Sequence, residues 1–362
     1  MTGKNVANSK WATARRWGLY SAIGLAGATA AQFAITGSAM LREVLKYPKP
    51  IDDGPDPLLE QPTHAMRSSV VGTPDGALLH VVASGDVNDS DEILVLIHGW
   101  TCNTSFWNPQ FNHFGSSRPV IAYDQRGHGL SELGPNRPTV DMLGQDLQAV
   151  LEAMIPEGKR AVLVGHSMGG MTIMSWAQQF GAGMEEKISG IVLVSTAGLG
   201  VIQRQELIPD SLPALARPGK AVLTKFFTSA PLPLPSNSTT SLFSHYVTLG
   251  PVVRKAYVDF TDEIVAACSA KARAAWGAAM YPLDVLSGLD RITVPTSVVV
   301  GSADLLTPVK HAQEMATILS SRGFLHSYTS YEGAGHMVPI ERADAFNALI
   351  DELLADVSVA AG

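Results

Sequence analysis

Ser167 stands in Gly165-His166-Ser167-Met168-Gly169-Gly170, between the apolar run RAVLV and the helix-like stretch MTIMSWAQQF. A G-x-S-x-G turn between a strand and a helix lifts a serine hydroxyl above the end of a sheet. Side chains at 165 and 169 would crowd so tight a turn, so both glycines are expected on steric grounds. The helix start also aims backbone N–H groups at any negative charge developing beside the serine. A serine hydroxyl attacks only when a base takes its proton and a third group orients that base. In this arrangement the acid and then the histidine follow the serine along the chain. Asp304, ending the run VVVGSAD, and His336, in YEGAGHMVP, satisfy that order. Asp304 has a second reading, as the cap of the turn that follows it. Asp290 is the competing acid, but it precedes a strand and would lie at the opposite edge. His311 reads as helical and His326 as part of a strand, which leaves His336 as the base.

Acyl transfer creates a tetrahedral oxyanion that needs two fixed donors. The N–H of Met168, directly after the serine, is one expected donor. The other is expected from Ile97-His98-Gly99-Trp100, which ends the run EILVLIHG, with Trp100 N–H the best placed. His98 reads as a structural histidine that bonds loop backbone. The segment Tyr123-Asp124-Gln125-Arg126-Gly127-His128-Gly129-Leu130-Ser131 reads as a turn bracing the serine turn rather than as a source of catalytic groups.

These residues require a scaffold that brings loop ends together. Short apolar runs at 92–99, 118–124, 160–167, 189–198 and 295–304, with a weaker one at 324–333, alternate with helix-like stretches near 139–155, 168–181, 308–321 and 340–356. Such alternation predicts a mostly parallel sheet with helices on both faces. SSVVGTPDGALLHVVASG, around Pro74-Asp75-Gly76, predicts a hairpin before it. No parallel strand is expected between 199 and 290, where helical patterns such as 253–279 predict an inserted helical cap over the ligand-binding edge. Residues 68–198 and 291–358 then form the core and 48–67 a Pro/Asp/Gly-rich linker.

IHGW, YDQRGHGLS, GHSMGG, GSAD and GAGH, in this order and spacing, resemble the α/β-hydrolase superfamily over residues 68–356. More narrowly they are similar to its esterases, lipases and cofactor-free haloperoxidases. The resemblance implies an α/β-hydrolase fold with an eight-stranded, mostly parallel sheet, a Ser167–Asp304–His336 triad and an oxyanion hole from Trp100 and Met168, and no cofactor or metal. Relatives with Asp at the nucleophile position cleave epoxides or carbon–halogen bonds, and Ser167 argues against both. The expected activity is hydrolysis of carboxylic esters, apolar or lipid-like ones in particular. Peroxyacid formation, lactone or C–C cleavage and acyl transfer on the same triad are alternatives, and a non-catalytic receptor or scaffold is a further one. Leu223, Phe226, Phe227, Leu242, Phe243, Trp276 and Met280 could line the substrate pocket or form the core of the cap.

The 362 residues carry a net charge of −7, but residues 1–49 hold seven Lys/Arg against Glu43 alone. The remaining 19 basic and 32 acidic residues give −13, which disfavours nucleic acid as a partner. From Trp17 to Leu41 no residue is charged, and Lys10, Arg15 and Arg16 precede the run. A run of that length behind basic residues predicts a membrane anchor or a signal peptide, with the catalytic body outside the cytoplasm. Ala28-Thr29-Ala30 would suit cleavage. A helix packed on the body is the remaining reading. Two cysteines, Cys102 and Cys268, allow one disulfide at most.

Overall fold

The computed structural model describes residues 36–207 and 238–359. The apolar runs become β1 (Met66–Gly72), β2 (Leu78–Ser84), β3 (Glu92–Ile97), β4 (Val120–Tyr123), β5 (Arg160–His166), β6 (Ile188–Val194), β7 (Thr296–Gly301) and β8 (Leu325–Tyr331). They form one sheet in the order β1-β2-β4-β3-β5-β6-β7-β8. β1 and β2 are the expected hairpin, and β2 runs antiparallel to β4; every other pairing is parallel.

Successive side chains of a strand point to opposite faces, and here each face finds a different core. Ile93, Val95 and Ile97 of β3 pack with Leu163 and Leu193 on one face. Leu94 and Leu96 pack with Val162 and Val192 on the other. The first face is covered by α3 (Val140–Met154), α4 (Met168–Phe180) and α8 (Val309–Ser321), through Leu147, Met171 and Met315. The second is covered by α2 (Asn108–Phe114) and α10 (Ala343–Val359), through Phe111, Phe346 and Leu353. Burial on both sides explains why the central strands are continuously apolar rather than alternating.

Between β6 and β7 lie α5 (Ser238–Thr248), α6 (Lys255–Ala267) and α7 (Ala270–Ala279). The helical pattern expected over 253–279 folds as two helices, because Ser269 turns out of the helix and its hydroxyl caps the Ala272 N–H. Trp276 and Met280 are fully buried in the main core and so belong to packing. Leu242 and Phe243 of α5 stay partly buried beside Leu305. Leu223, Phe226 and Phe227 lie outside the described residues.

The expected membrane segment lies outside the described residues up to position 35. Its last residues open α1 (36–46), whose Met40 and Val44 pack on Tyr246 of α5. Tyr47 donates its hydroxyl to the Leu249 carbonyl at 2.8 Å. Among the described residues no helix is long and apolar enough to cross a membrane. The stretch read as a linker is fastened to the body. Ile51 pairs with Arg254 as an isolated bridge, and the Arg254 guanidinium binds Asp53 and Asp56.

Candidate active site

Ser167 links the carboxyl end of β5 to the first turn of α4 with φ 52° and ψ −115°. A non-glycine residue at positive φ is strained and is held there by its surroundings. Here the Ser167 N–H donates to Val194 O at 3.0 Å, and its carbonyl accepts from the Thr196 hydroxyl at 2.6 Å. The elbow glycines are required by close approach: a Cβ at Gly165 would lie 2.6 Å from Gly169 backbone, and one at Gly169 would run into the Ile97 carbonyl oxygen.

Asp304 and His336 are brought together from loops after β7 and β8. His336 Nδ1 stands 2.8 Å from Asp304 Oδ2, and both side chains are buried. The Thr307 hydroxyl donates to the same carboxylate oxygen at 2.7 Å, and Leu306 and Thr307 N–H groups donate to Oδ1 at 2.9 Å each. One Asp304 oxygen therefore caps the turn and the other faces the imidazole. Burial pushes the Asp304 carboxyl up, but the His336 imidazole and the Thr307 donors outweigh it and hold it below the usual carboxylate range. Asp290 lies in a short 3-10 helix, Leu286–Arg291, on the amino side of β7, away from this pair.

The His336 ring packs 4.9 Å from that of His166, the residue before the serine. His166 Nε2 donates to the His336 carbonyl at 3.0 Å. The hydrogen bonds of the His336 ring itself run through Nδ1, and the structure closes none from the Ser167 hydroxyl to Nε2. Without substrate that bond is often long, and it tightens in the complex.

The first N–H groups of a helix have no intrahelical acceptor, which leaves Met168 N–H at the start of α4 as an available donor. On the facing loop, Thr101 N–H goes to His128 Nε2 at 3.2 Å and Cys102 N–H to Gly99 O at 3.2 Å. Among the described residues this leaves the Gly99 and Trp100 N–H groups of the turn without an acceptor. The Trp100 indole Nε1 donates to Arg273 O at 3.1 Å, which ties the loop to α7.

The segment 123–131 braces both loops. Gln125 N–H donates to His98 Nε2 at 2.9 Å, its amide donates to His98 O, and its Oε1 accepts from Thr172 of α4 at 2.6 Å. Arg126 is buried between Asp146 (2.7 Å) and Asp75 (2.8 Å), joining α3 to the β1–β2 turn. Burial pushes His98 below the ordinary histidine range, His128 down to about 3, and His166 well down. All three are held neutral at physiological pH and act as fixed donors and acceptors.

A family model described as "Alpha/beta hydrolase family" matches residues 94–349. The chain belongs to the alpha/beta hydrolase family. It is 27% identical over 269 residues to 3-oxoadipate enol-lactonase 2 of Acinetobacter baylyi, covering 72% of this chain and 88% of that one. It is 30% identical over 272 residues to a non-heme chloroperoxidase of Burkholderia pyrrocinia, covering 73% and 91%. Among solved structures, a bromoperoxidase from Bacillus anthracis superposes with a TM-score of 0.64 at 18% identity, over 80% of this chain and all of that one. In this alpha/beta hydrolase, Thr307, Thr196 and His166 were not singled out by sequence reasoning. Thr307 had a usable signal, because a Thr three residues after an Asp is well placed to bond back to it. His166 and Thr196 act through long-range contacts that leave no local pattern.

Proposed function

We propose that this alpha/beta hydrolase is a serine hydrolase that cleaves carboxylic esters through an acyl-enzyme. The observation that carries the reading is the buried Asp304–His336 pair, closed at 2.8 Å and packed through His166 against the strained Ser167. His336 Nε2 takes the Ser167 proton as Oγ bonds to the acyl carbon. Met168 and Trp100 N–H groups hold the oxyanion. Asp304 stabilises the imidazolium, which then protonates the leaving alcohol. Water repeats the sequence on the acyl-enzyme, releasing the acid and the free serine.

Apolar esters are the proposed substrates, supported by Leu242, Phe243, Val247 and Leu305 clustering beside the Asp304 loop. A panel of p-nitrophenyl esters from acetate to octanoate tests this. kcat/KM is expected to rise with chain length through the middle of the series. A steady fall from acetate onward would reject the apolar assignment. The chloroperoxidase and enol-lactonase relatives favour a second reading, in which hydrogen peroxide replaces water on the same acyl-enzyme or a lactone supplies the acyl group. Peroxide-dependent bromide oxidation in acetate that exceeds ester turnover would select it.

For location, the basic head and the uncharged run at 17–41 support a body carried outside the cytoplasm, anchored or exported. Protease added to intact cells should then digest the body. Protection equal to that of a cytoplasmic marker would reject export.

A further inference from the structure

Glu341 is the last residue of α9 (Val338–Glu341); it is buried at 5% exposure, and among the described residues no basic side chain forms an ion pair with its carboxylate. Its Oε1 accepts from Gly335 N–H at 2.9 Å and Met337 N–H at 3.2 Å. Its Oε2 accepts from Gly335 N–H at 3.0 Å and from Gly250 N–H at 2.7 Å. Gly335 and Met337 flank His336 on either side, and Gly250 follows the carboxyl end of α5. The His336 N–H itself donates to Thr248 O, in the last turn of α5, at 2.8 Å. Arg342, next in the chain, sends its guanidinium to the carbonyls of Glu332 and Glu341 instead.

We propose that Glu341 is a positioning residue for His336, gripping the backbone on both sides of the imidazole and locking it to the end of cap helix α5. This rests on the reading of His336 as the general base. Three backbone N–H groups converge on one carboxylate because the two loops touch backbone to backbone. A Cβ at Gly335 would fall on the Leu249–Gly250 peptide. Only a carboxylate offers acceptors on both sides. A glutamine would satisfy one side and turn its NH2 onto the N–H groups of the other, leaving buried donors facing each other. Burying this group is costly, and burial pushes the carboxyl up to about 7 against the three N–H donors and Arg342. A cost borne at this point is consistent with a demand for exact placement of the ring. The loop after β8 has no regular structure of its own to fix that placement.

Glu341→Gln tests the proposal in the full chain. Misplacing a reacting group by about 1 Å costs on the order of a hundredfold, so kcat on a short p-nitrophenyl ester is expected to fall about ten- to a hundredfold. KM is expected to stay within about twofold, because the change touches geometry and not substrate binding. The low-field proton resonance of the His336 Nδ1–H, assigned by its loss in His336→Asn, is expected to shift and broaden. A lower melting temperature with kcat and the resonance unchanged would make Glu341 a stabilising carboxylate only and overturn the proposal. Should the glutamine variant fail to fold, Glu341→Asp keeps the charge but shortens its reach. A fall in kcat with a shifted resonance then supports the proposal, and neither change overturns it. The two readings fail separately. Turnover that survives Ser167→Ala sinks the assignment of Ser167 as nucleophile and with it the proposed serine mechanism, whereas the resonance still reports whether Glu341 places the ring.

Discussion

Ser167→Ala is expected to lower ester turnover by about a millionfold in kcat, and by no less than about 10,000-fold. Only the hydroxyl is lost. The contacts that hold the elbow are made by the backbone of residue 167 and by Thr196, so they survive the change. The Cβ that has to tolerate φ 52° is present in both residues. The melting temperature should therefore move by only a few degrees while activity disappears, and covalent labelling by a fluorophosphonate should disappear with it. The residual rate would reflect what the two oxyanion donors and binding supply alone. Labelling or turnover within about tenfold of the native protein would mean that another nucleophile does the chemistry.

Asp304→Asn should cost about 10,000-fold in kcat with KM little changed. The amide must choose between two bad arrangements. With its oxygen toward the Leu306 and Thr307 N–H groups, its NH2 faces His336 Nδ1. The imidazole then has to carry its proton on Nε2, the nitrogen that should receive the serine proton. Flipped, the NH2 faces two backbone donors in a buried site. The same volume is kept, so the fold should persist, and steady-state kinetics beside a melting curve will separate the two effects. The Thr307 hydroxyl lies 3.3 Å from His336 Nδ1. A loss under about tenfold would therefore assign the orienting role to Thr307, with Asp304 serving it.

Together with Glu341, these residues describe an imidazole held from every side. Asp304 fixes the ring, His166 and Thr248 hold its backbone carbonyl and N–H, and Glu341 holds the flanking peptides. Thr248 and Gly250 belong to the end of α5, and Tyr47 bonds Leu249 between them. The end of α5 thus shares backbone contacts with the loop that carries His336, and the segment after α1 reaches the same turn through the Tyr47 hydroxyl. Any motion of α5 that admits substrate would be felt at His336.

The serine turn could be read from residue order alone, because its chemistry is local: a strand, two glycines that close approach demands, and a helix start within six residues. The sheet was legible for a related reason. Burial on both faces makes each central strand a continuous apolar run, and the helices between them keep their period. The pairing of Asp304 with His336 followed from strand ends sharing one edge of a parallel sheet. The other contacts that join residues far apart in the chain had to await the folded molecule. Ser269 broke one helical pattern into two by a side-chain cap, Trp276 and Met280 proved to be core, and the Pro-rich stretch after Tyr47 proved to be pinned through Arg254. Glu341 left no periodic trace at all, since the three N–H groups it binds come from two loops separated by 85 residues between Gly250 and Gly335. Sequence patterns register the repeat of a helix or strand; contacts between loop backbones depend on how the finished layers stack, and only the tertiary arrangement supplies that.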